Sequence, residues 1–138
     1  MKGGYTIVFA DDEPWGLSAP LRLALESRGY TCPSFSDVTA AWDYIRSHKV
    51  DVVVTDIMMP GGASFPDIDS LNAGFFFVKL IREQFRRLPI ICLSVIADQK
   101  KINELKRQGV LYLRKGETPL ETAVALIESK ATGRVSFG

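Results

Sequence analysis

Four short apolar runs in this 138-residue chain end in residues able to do chemistry. Asp11, Asp12 and Glu13 follow one run, Asp56 follows another, Ser94 closes a third and Lys115 comes directly after a fourth. Two carboxylates about 5 Å apart repel by roughly 3 kcal/mol at an effective dielectric near 20. Asp11, Asp12 and Asp56, brought together, therefore need raised pKa values or a cation between them. An all-oxygen site with open positions suits Mg²⁺, which takes few protein ligands, keeps waters and bridges to phosphate. Lys115 offers a compact cation for a bound anion, and the Ser94 hydroxyl can donate a hydrogen bond. An aspartate is also a nucleophile able to form an aspartyl-phosphate. Metal, nucleophile, lysine and hydroxyl together point to phosphoryl transfer.

That chemistry requires an architecture in which the ends of these runs meet. Tyr5–Ala10, Tyr30–Phe35, Asp51–Thr55, Pro89–Ser94 and Val110–Arg114 are short and rich in Val, Ile, Leu, Tyr and Phe. Continuous apolar runs of this length suit strands covered on both faces, as in a parallel sheet. Helical spacing fills the gaps. Val38, Ala41, Trp42 and Ile45 recur at i, i+3, i+4, i+7 behind Asp37 as N-cap. Phe77, Val78, Ile81 and Phe85 repeat that spacing. Leu17, Leu21, Ala24 and Leu25 anchor a first helix, with Pro20 predicting a kink or a late start. Thr118-Pro119-Leu120-Glu121 predicts a capping box with proline at the first helical position, and Leu120, Ala123, Val124 and Ile127 form the last helix's apolar face. Five strands alternating with five helices give a doubly wound α/β domain, whose sites lie just beyond the carboxyl ends of its strands.

The bulk numbers narrow the function. The length fits one domain with one sizeable core. With 17 basic against 16 acidic residues and a net charge of +1, nothing argues electrostatically for nucleic acid or an anionic membrane. Cys32 and Cys92 read as buried thiols of a reducing compartment. MKGGYTIVFADDE has no apolar signal region, and no apolar run approaches the roughly 20 residues of a membrane span. The expectation is a soluble, cytoplasmic protein.

The motifs TIVFADDEP (6–14), VDVVVTDIMMPG (50–61), PIICLSV (89–95) and LYLRKG (111–116), in this order, resemble a response-regulator receiver domain of two-component signalling over about residues 5 to 130. The resemblance implies a flavodoxin-like (βα)5 fold with a five-stranded parallel sheet in the order 2-1-3-4-5. It makes residues 1–131 the receiver domain and 132–138 a tail. Asp56 resembles the phosphoacceptor. Asp11 and Asp12 resemble the acid pair that binds Mg²⁺ with Asp56 and the backbone carbonyl of Met58. Ser94, Lys115 and Tyr112 resemble the switch hydroxyl, the phosphoryl-pairing lysine and the switch aromatic. The implied phosphodonor is a histidine kinase or histidine phosphotransfer protein. The implied response is a change in the face built from the fourth helix, fifth strand and fifth helix. Such a domain catalyses only its own phosphorylation and dephosphorylation. A homodimer is a possible partner state, and neither direct nucleic-acid contact nor membrane contact is implied.

Three features depart from the family pattern. Gly116 stands where proline usually follows the lysine, which predicts a trans bond or a reshaped loop. Val95 replaces a small residue beside Ser94 and predicts narrower access to the phosphoryl group. The segment Ile57 to Ala73 far exceeds the usual connection of about 2–6 residues. Gly74 is read as the family's helix-start glycine, displaced by an insertion at 61–73. Phe65, Ile68 and Leu71 give the insertion apolar side chains, and Phe76 and Leu80 lie outside the core stripe of the next helix. Packing of the insertion onto Phe76 and Leu80 is the adopted reading; a mobile loop above a partner or dimer patch is the alternative.

Other candidates carry less. Asp67 and Asp69 are read as solvated, since Leu71 stands where a calcium loop needs its next oxygen. His48 follows a helix end and is read as a capping or surface residue. Lys100, Lys101, Lys106 and Arg107 form a basic helix face that could meet an acidic partner. Other functions compete. A pseudo-receiver would use the fold for docking or dimerisation. A phosphohydrolase would need a second acid where Met58 stands; a nucleotide-binding fold, weaker still, would need a phosphate-cradling glycine motif, and none follows any strand.

Overall fold

A computed structural model of the chain describes residues 4–13, 16, 18–95 and 98–133. The expected Leu17 anchor and the tail beyond residue 133 lie outside the described residues. Five parallel strands, β1 (Ile7–Ala10), β2 (Ser34–Phe35), β3 (Val52–Thr55), β4 (Ile90–Ser94) and β5 (Leu111–Arg114), form a sheet in the order β2-β1-β3-β4-β5. They alternate with α1 (Ser18–Glu26), α2 (Val38–Ser47), α3 (Ala73–Gln84), α4 (Gln99–Arg107) and α5 (Leu120–Thr132). This is the expected doubly wound topology.

Each residue of β1, β3 and β4 is buried, which explains why these strands are apolar throughout. Alternate side chains enter two cores. Val8, Ala10, Val53, Ile90 and Cys92 pack with α2, α3 and Leu105 of α4. Ile7, Phe9, Val52, Val54, Ile91 and Leu93 meet Leu21 and Leu25 of α1 and Ala123, Val124 and Ile127 of α5. Arg28 and Tyr30, just after α1, both bond Glu128 of α5, Tyr30 at 3.0 Å.

Several expected boundaries change for physical reasons. The run Tyr30–Phe35 yields only the two-residue β2, because Pro33 has no N–H to give a ladder. Its carbonyls still serve β1, accepting Ile7 N at Thr31, Phe9 N at Pro33 and Asp11 N at Phe35. Pro20 falls in the first turn of α1, where helical N–H groups have no intrahelical partner, so the helix starts late. Asp37 caps α2 as expected, accepting Ala40 N at 2.7 Å. The capping box of α5 does not form. Pro119 is the N-cap, and the Thr118 hydroxyl turns back to donate to the Arg114 carbonyl at 3.1 Å. Leu120 is correspondingly 38% exposed and leaves the apolar face assigned to it.

The segment 61–73, expected from the sequence to be an insertion, is folded and tied down. Val38 N and Thr39 N at the start of α2 donate to the Pro60 and Gly61 carbonyls, and Met59 N donates to Ser70 O across the loop. Phe65 stands edge-on to Phe76 at 4.9 Å, and Phe65, Ile68, Phe76 and Leu80 all pack against the α2/α3 core. The expected contact is present. Leu71 is 62% exposed and takes no part in it. Among the described residues, no helix is long and apolar enough to cross a membrane.

Candidate functional site

The carboxyl ends of β1, β3 and β5 bring Asp11, Asp56 and Lys115 together. Register aligns Ala10 with Thr55, so Asp11 and Asp56 leave adjacent strands at the same level. Asp56 N donates to Ala10 O at 2.9 Å and locks that register. The Lys115 ammonium donates to Asp56 Oδ2 at 2.7 Å and lies 3.5 Å from Asp11 Oδ2. All three side chains are largely removed from water. Burial alone would lower the Lys115 pKa. Its hydrogen bond and charge pairing with Asp56, and then Asp11, outweigh that, leaving it above the ordinary lysine value.

Asp56 is aimed by its own turn. Its Oδ1 accepts Ile57 N at 2.6 Å, and the Thr55 hydroxyl donates to the Asp56 carbonyl at 2.8 Å. Gly74 N donates to Ile57 O at 2.7 Å. A Cβ at position 74 would sit 2.4 Å from the Asp56 carbonyl oxygen and 2.5 Å from Ile57 Cα, so only glycine allows α3 to begin here. This supports the reading of Gly74 as the helix-start glycine beyond the insertion. Met58 has an exposed side chain between buried Ile57 and Met59, and the turn is pinned on both sides of it through Ile57 O and Met59 N.

The remaining predicted residues surround that pair. Asp12 is exposed, and its pKa is raised by partial desolvation and then by the charges of Asp11, Glu13 and Asp56. The excess negative charge expected from the sequence is therefore present. Ser94 is fully buried, and its carbonyl accepts Lys115 N at 2.8 Å and the Tyr112 hydroxyl at 3.4 Å. Ser94, Lys115 and Tyr112 thus share one backbone oxygen. Val95 is 58% exposed beside them. Gly116 adopts φ +84°, a region proline cannot enter, and the described residues contain no cis peptide bond, so the bond after Lys115 is trans, the first of the two expected alternatives.

The donor chemistry fits Mg²⁺: hard carboxylate oxygens in a negatively charged, partly desolvated corner. Among the described residues, however, no three His, Cys, Asp or Glu side chains converge as a ready metal cage. The Lys115 ammonium holds Asp56 and approaches Asp11 in this conformation.

Ser18, the first residue of α1, escaped the sequence reading. It is 2% exposed, and its hydroxyl donates to Asp11 Oδ2 at 2.9 Å. A serine before an apolar run signals a helix start, but nothing in that signal names a partner seven residues upstream.

The secondary candidates resolve locally. Asp67 and Asp69 are exposed, and the Asp69 carboxylate accepts Leu71 N and the Asn72 side-chain amide, both close by in the chain. His48 stacks on Tyr44 at 3.9 Å while its backbone N–H caps α2. Both cysteines are buried and unpaired; burial pushes the Cys32 thiol up to about 12 and raises Cys92 as well. Lys101 is not merely solvated, since it donates to the Asn72 side chain at 3.0 Å and lies over Phe75.

A family model for the response regulator receiver domain matches residues 7–126. The chain is 37% identical over 133 residues to the response regulator GtcR of Aneurinibacillus migulanus, covering 96% of this chain and 50% of that protein. It is 27% identical over 122 residues to the DNA-binding transcriptional regulator NtrC of Escherichia coli K12, covering 88% of this chain and 24% of that one. It thus spans half or less of these curated relatives. Solved structures share the fold, two among them as follows. The chemotaxis response regulator CheY4 of Vibrio cholerae matches with a TM-score of 0.73 at 23% identity, covering 91% of this chain and 98% of that one. A CheY-like receiver domain protein of Methanospirillum hungatei JF-1 matches with 0.77 at 15%, covering 94% of each chain.

Proposed function

This chain belongs to the response-regulator receiver family, and from that premise we propose that it is a signalling switch whose phosphoacceptor is Asp56. Residues 1–131 act as the receiver unit, with 61–73 as an insertion in it. The observation that carries this reading is the 2.7 Å bond from the Lys115 ammonium to Asp56 Oδ2, reaching across the sheet from the end of β5 to the end of β3.

The steps follow from the residues. An Asp56 carboxylate oxygen attacks the phosphorus of a phosphohistidine on a histidine kinase or phosphotransfer protein. The new O–P bond forms as the N–P bond breaks, and that electron pair stays with the imidazole nitrogen. Asp11, Asp12, Asp56 and the Met58 carbonyl would hold Mg²⁺, which would supply charge neutralisation for the phosphoryl oxygens. Asp56 then carries roughly −1.5 to −2 charge and three acceptor oxygens where it carried a single carboxylate. Lys115, already within reach, transfers its hydrogen bond to those oxygens. Its backbone N–H and the Tyr112 hydroxyl both end on Ser94 O. Movement of Lys115 and Ser94 toward the phosphoryl group therefore loosens Tyr112 and alters the α4–β5–α5 face.

A pseudo-receiver used only for docking has no need of a shared ammonium on two buried aspartates. The downstream partner is a protein contacting the altered face, in a homodimer or a complex. Incubation with acetyl phosphate and Mg²⁺, followed by intact mass measurement, tests the reading. The wild type gains one phosphoryl group and Asp56→Asn gains none; an unmodified wild type contradicts it.

A further inference from the structure

We propose that Ser18 is a positioning residue for the acidic site, its hydroxyl holding Asp11 in the orientation that binds Mg²⁺; this rests on the phosphoacceptor reading above. Ser18 and Asp11 are both buried, and Ser18 Oγ lies 2.9 Å from Asp11 Oδ2. The other oxygen, Oδ1, accepts Glu13 N at 2.8 Å. Asp11 is thus held at both oxygens, by its own turn and by the first residue of α1.

The two side chains that approach Oδ2 act differently. Lys115, at 3.5 Å, brings a positive charge that competes with any metal for the same carboxylates. The Ser18 hydroxyl is neutral. It fixes the carboxylate plane through a charge-assisted bond and leaves the full negative charge for a cation. The hydroxyl borders a void of about 10 Å³ walled by Phe9, Val54 and Leu93. Outer groups that orient a metal-binding side chain commonly change affinity by about 10–100-fold. Ser18 meets that description, and it ties α1 directly to the metal corner.

A merely structural Ser18, serving the first turn of α1, would change thermal stability and leave Mg²⁺ affinity untouched. The test is calorimetric titration of Mg²⁺ alone into the full chain, well below the melting temperature, with folding checked by circular dichroism. Ser18→Ala is expected to bind Mg²⁺ about tenfold more weakly, while Ser18→Thr, which keeps the hydroxyl, retains most of the affinity. Ser18→Val matches the volume of the threonine variant without its oxygen and must lose affinity as Ser18→Ala does. That pair decides the question even if the alanine variant folds poorly. Unchanged affinity in Ser18→Ala or Ser18→Val overturns the inference and leaves the phosphoacceptor reading intact. Equal loss in Ser18→Thr and Ser18→Val also overturns it, since volume and not the hydroxyl would then matter. No Mg²⁺ binding by the wild type overturns both readings.

Discussion

Two sets of aspartates stand at the carboxyl end of this sheet and lead opposite lives. Asp11 and Asp56 are buried at the ends of neighbouring strands, and the ammonium they share comes from the end of β5. Asp67 and Asp69 are exposed in the insertion, and the partners of Asp69 lie within three residues of it. Charge follows the same division. Asp12, beside the buried pair, is raised by desolvation and like charges, whereas Asp69 is lowered by its bonds to Asn72 and Leu71 N. Local bonds satisfy an acid and make a turn. Acids converging from separate strands leave a charge excess that a lysine, a metal or a phosphoryl group can answer.

The sharpest way to break this contrast is to exchange the two sets in a labelling assay. Asp56→Asn lowers labelling by acetyl phosphate more than about 1,000-fold, while the double variant Asp67→Asn/Asp69→Asn labels like the wild type in the same mass assay. The hinge between the sets is Gly74, whose missing side chain lets α3 touch the backbone of Asp56 and Ile57. Gly74→Ala forces backbone apart and costs about 3 kcal/mol in urea unfolding; it also slows labelling, because the turn holding Asp56 shifts.

How legible this was differs between the two regions. The buried set could be read because each acid follows a short, continuous apolar run that suits an interior strand, and parallel strands end together. The contact of Phe65 with Phe76 was readable because Phe76 falls outside the stripe Phe77, Val78, Ile81, Phe85 that α3 turns to the core. Leu71 was misplaced by the same logic, since hydrophobicity does not say which way a loop side chain points. The cap of α5 failed because the Thr118 hydroxyl found Arg114 O, a competitor that exists only once β5 has folded. Ser18 was missed because Pro20 hid the helix start and its partner is set by tertiary structure.

A smaller effect probes the insertion alone. Phe65→Ala removes a half-buried ring and its edge-to-face contact, costing about 2 kcal/mol in urea unfolding, yet leaves acetyl phosphate labelling unchanged; slowed labelling would mean the insertion shapes the site directly.

The smallest effect tests the opposite charges by calorimetric melting in Mg²⁺-free buffer. Asp12 titrates higher when folded, so the stability it lends in acid is lost as pH rises through that raised value, and the penalty is complete at neutral pH. Asp12→Asn therefore raises neutral-pH stability, by less than about 1 kcal/mol for so exposed a group. Asp69 titrates lower when folded. Its support is present above the ordinary carboxylate value and is lost as pH falls through the lowered one, so Asp69→Asn slightly lowers stability only above that window.

The most direct test of the central claim is to find which aspartate carries the phosphoryl group. Borohydride reduction of the acetyl phosphate-treated chain converts an aspartyl-phosphate to homoserine, and peptide mapping then locates it. Homoserine is expected at position 56 alone. Homoserine at 67 or 69, or at no aspartate under conditions that leave the chain folded with Mg²⁺ bound, would contradict the central claim.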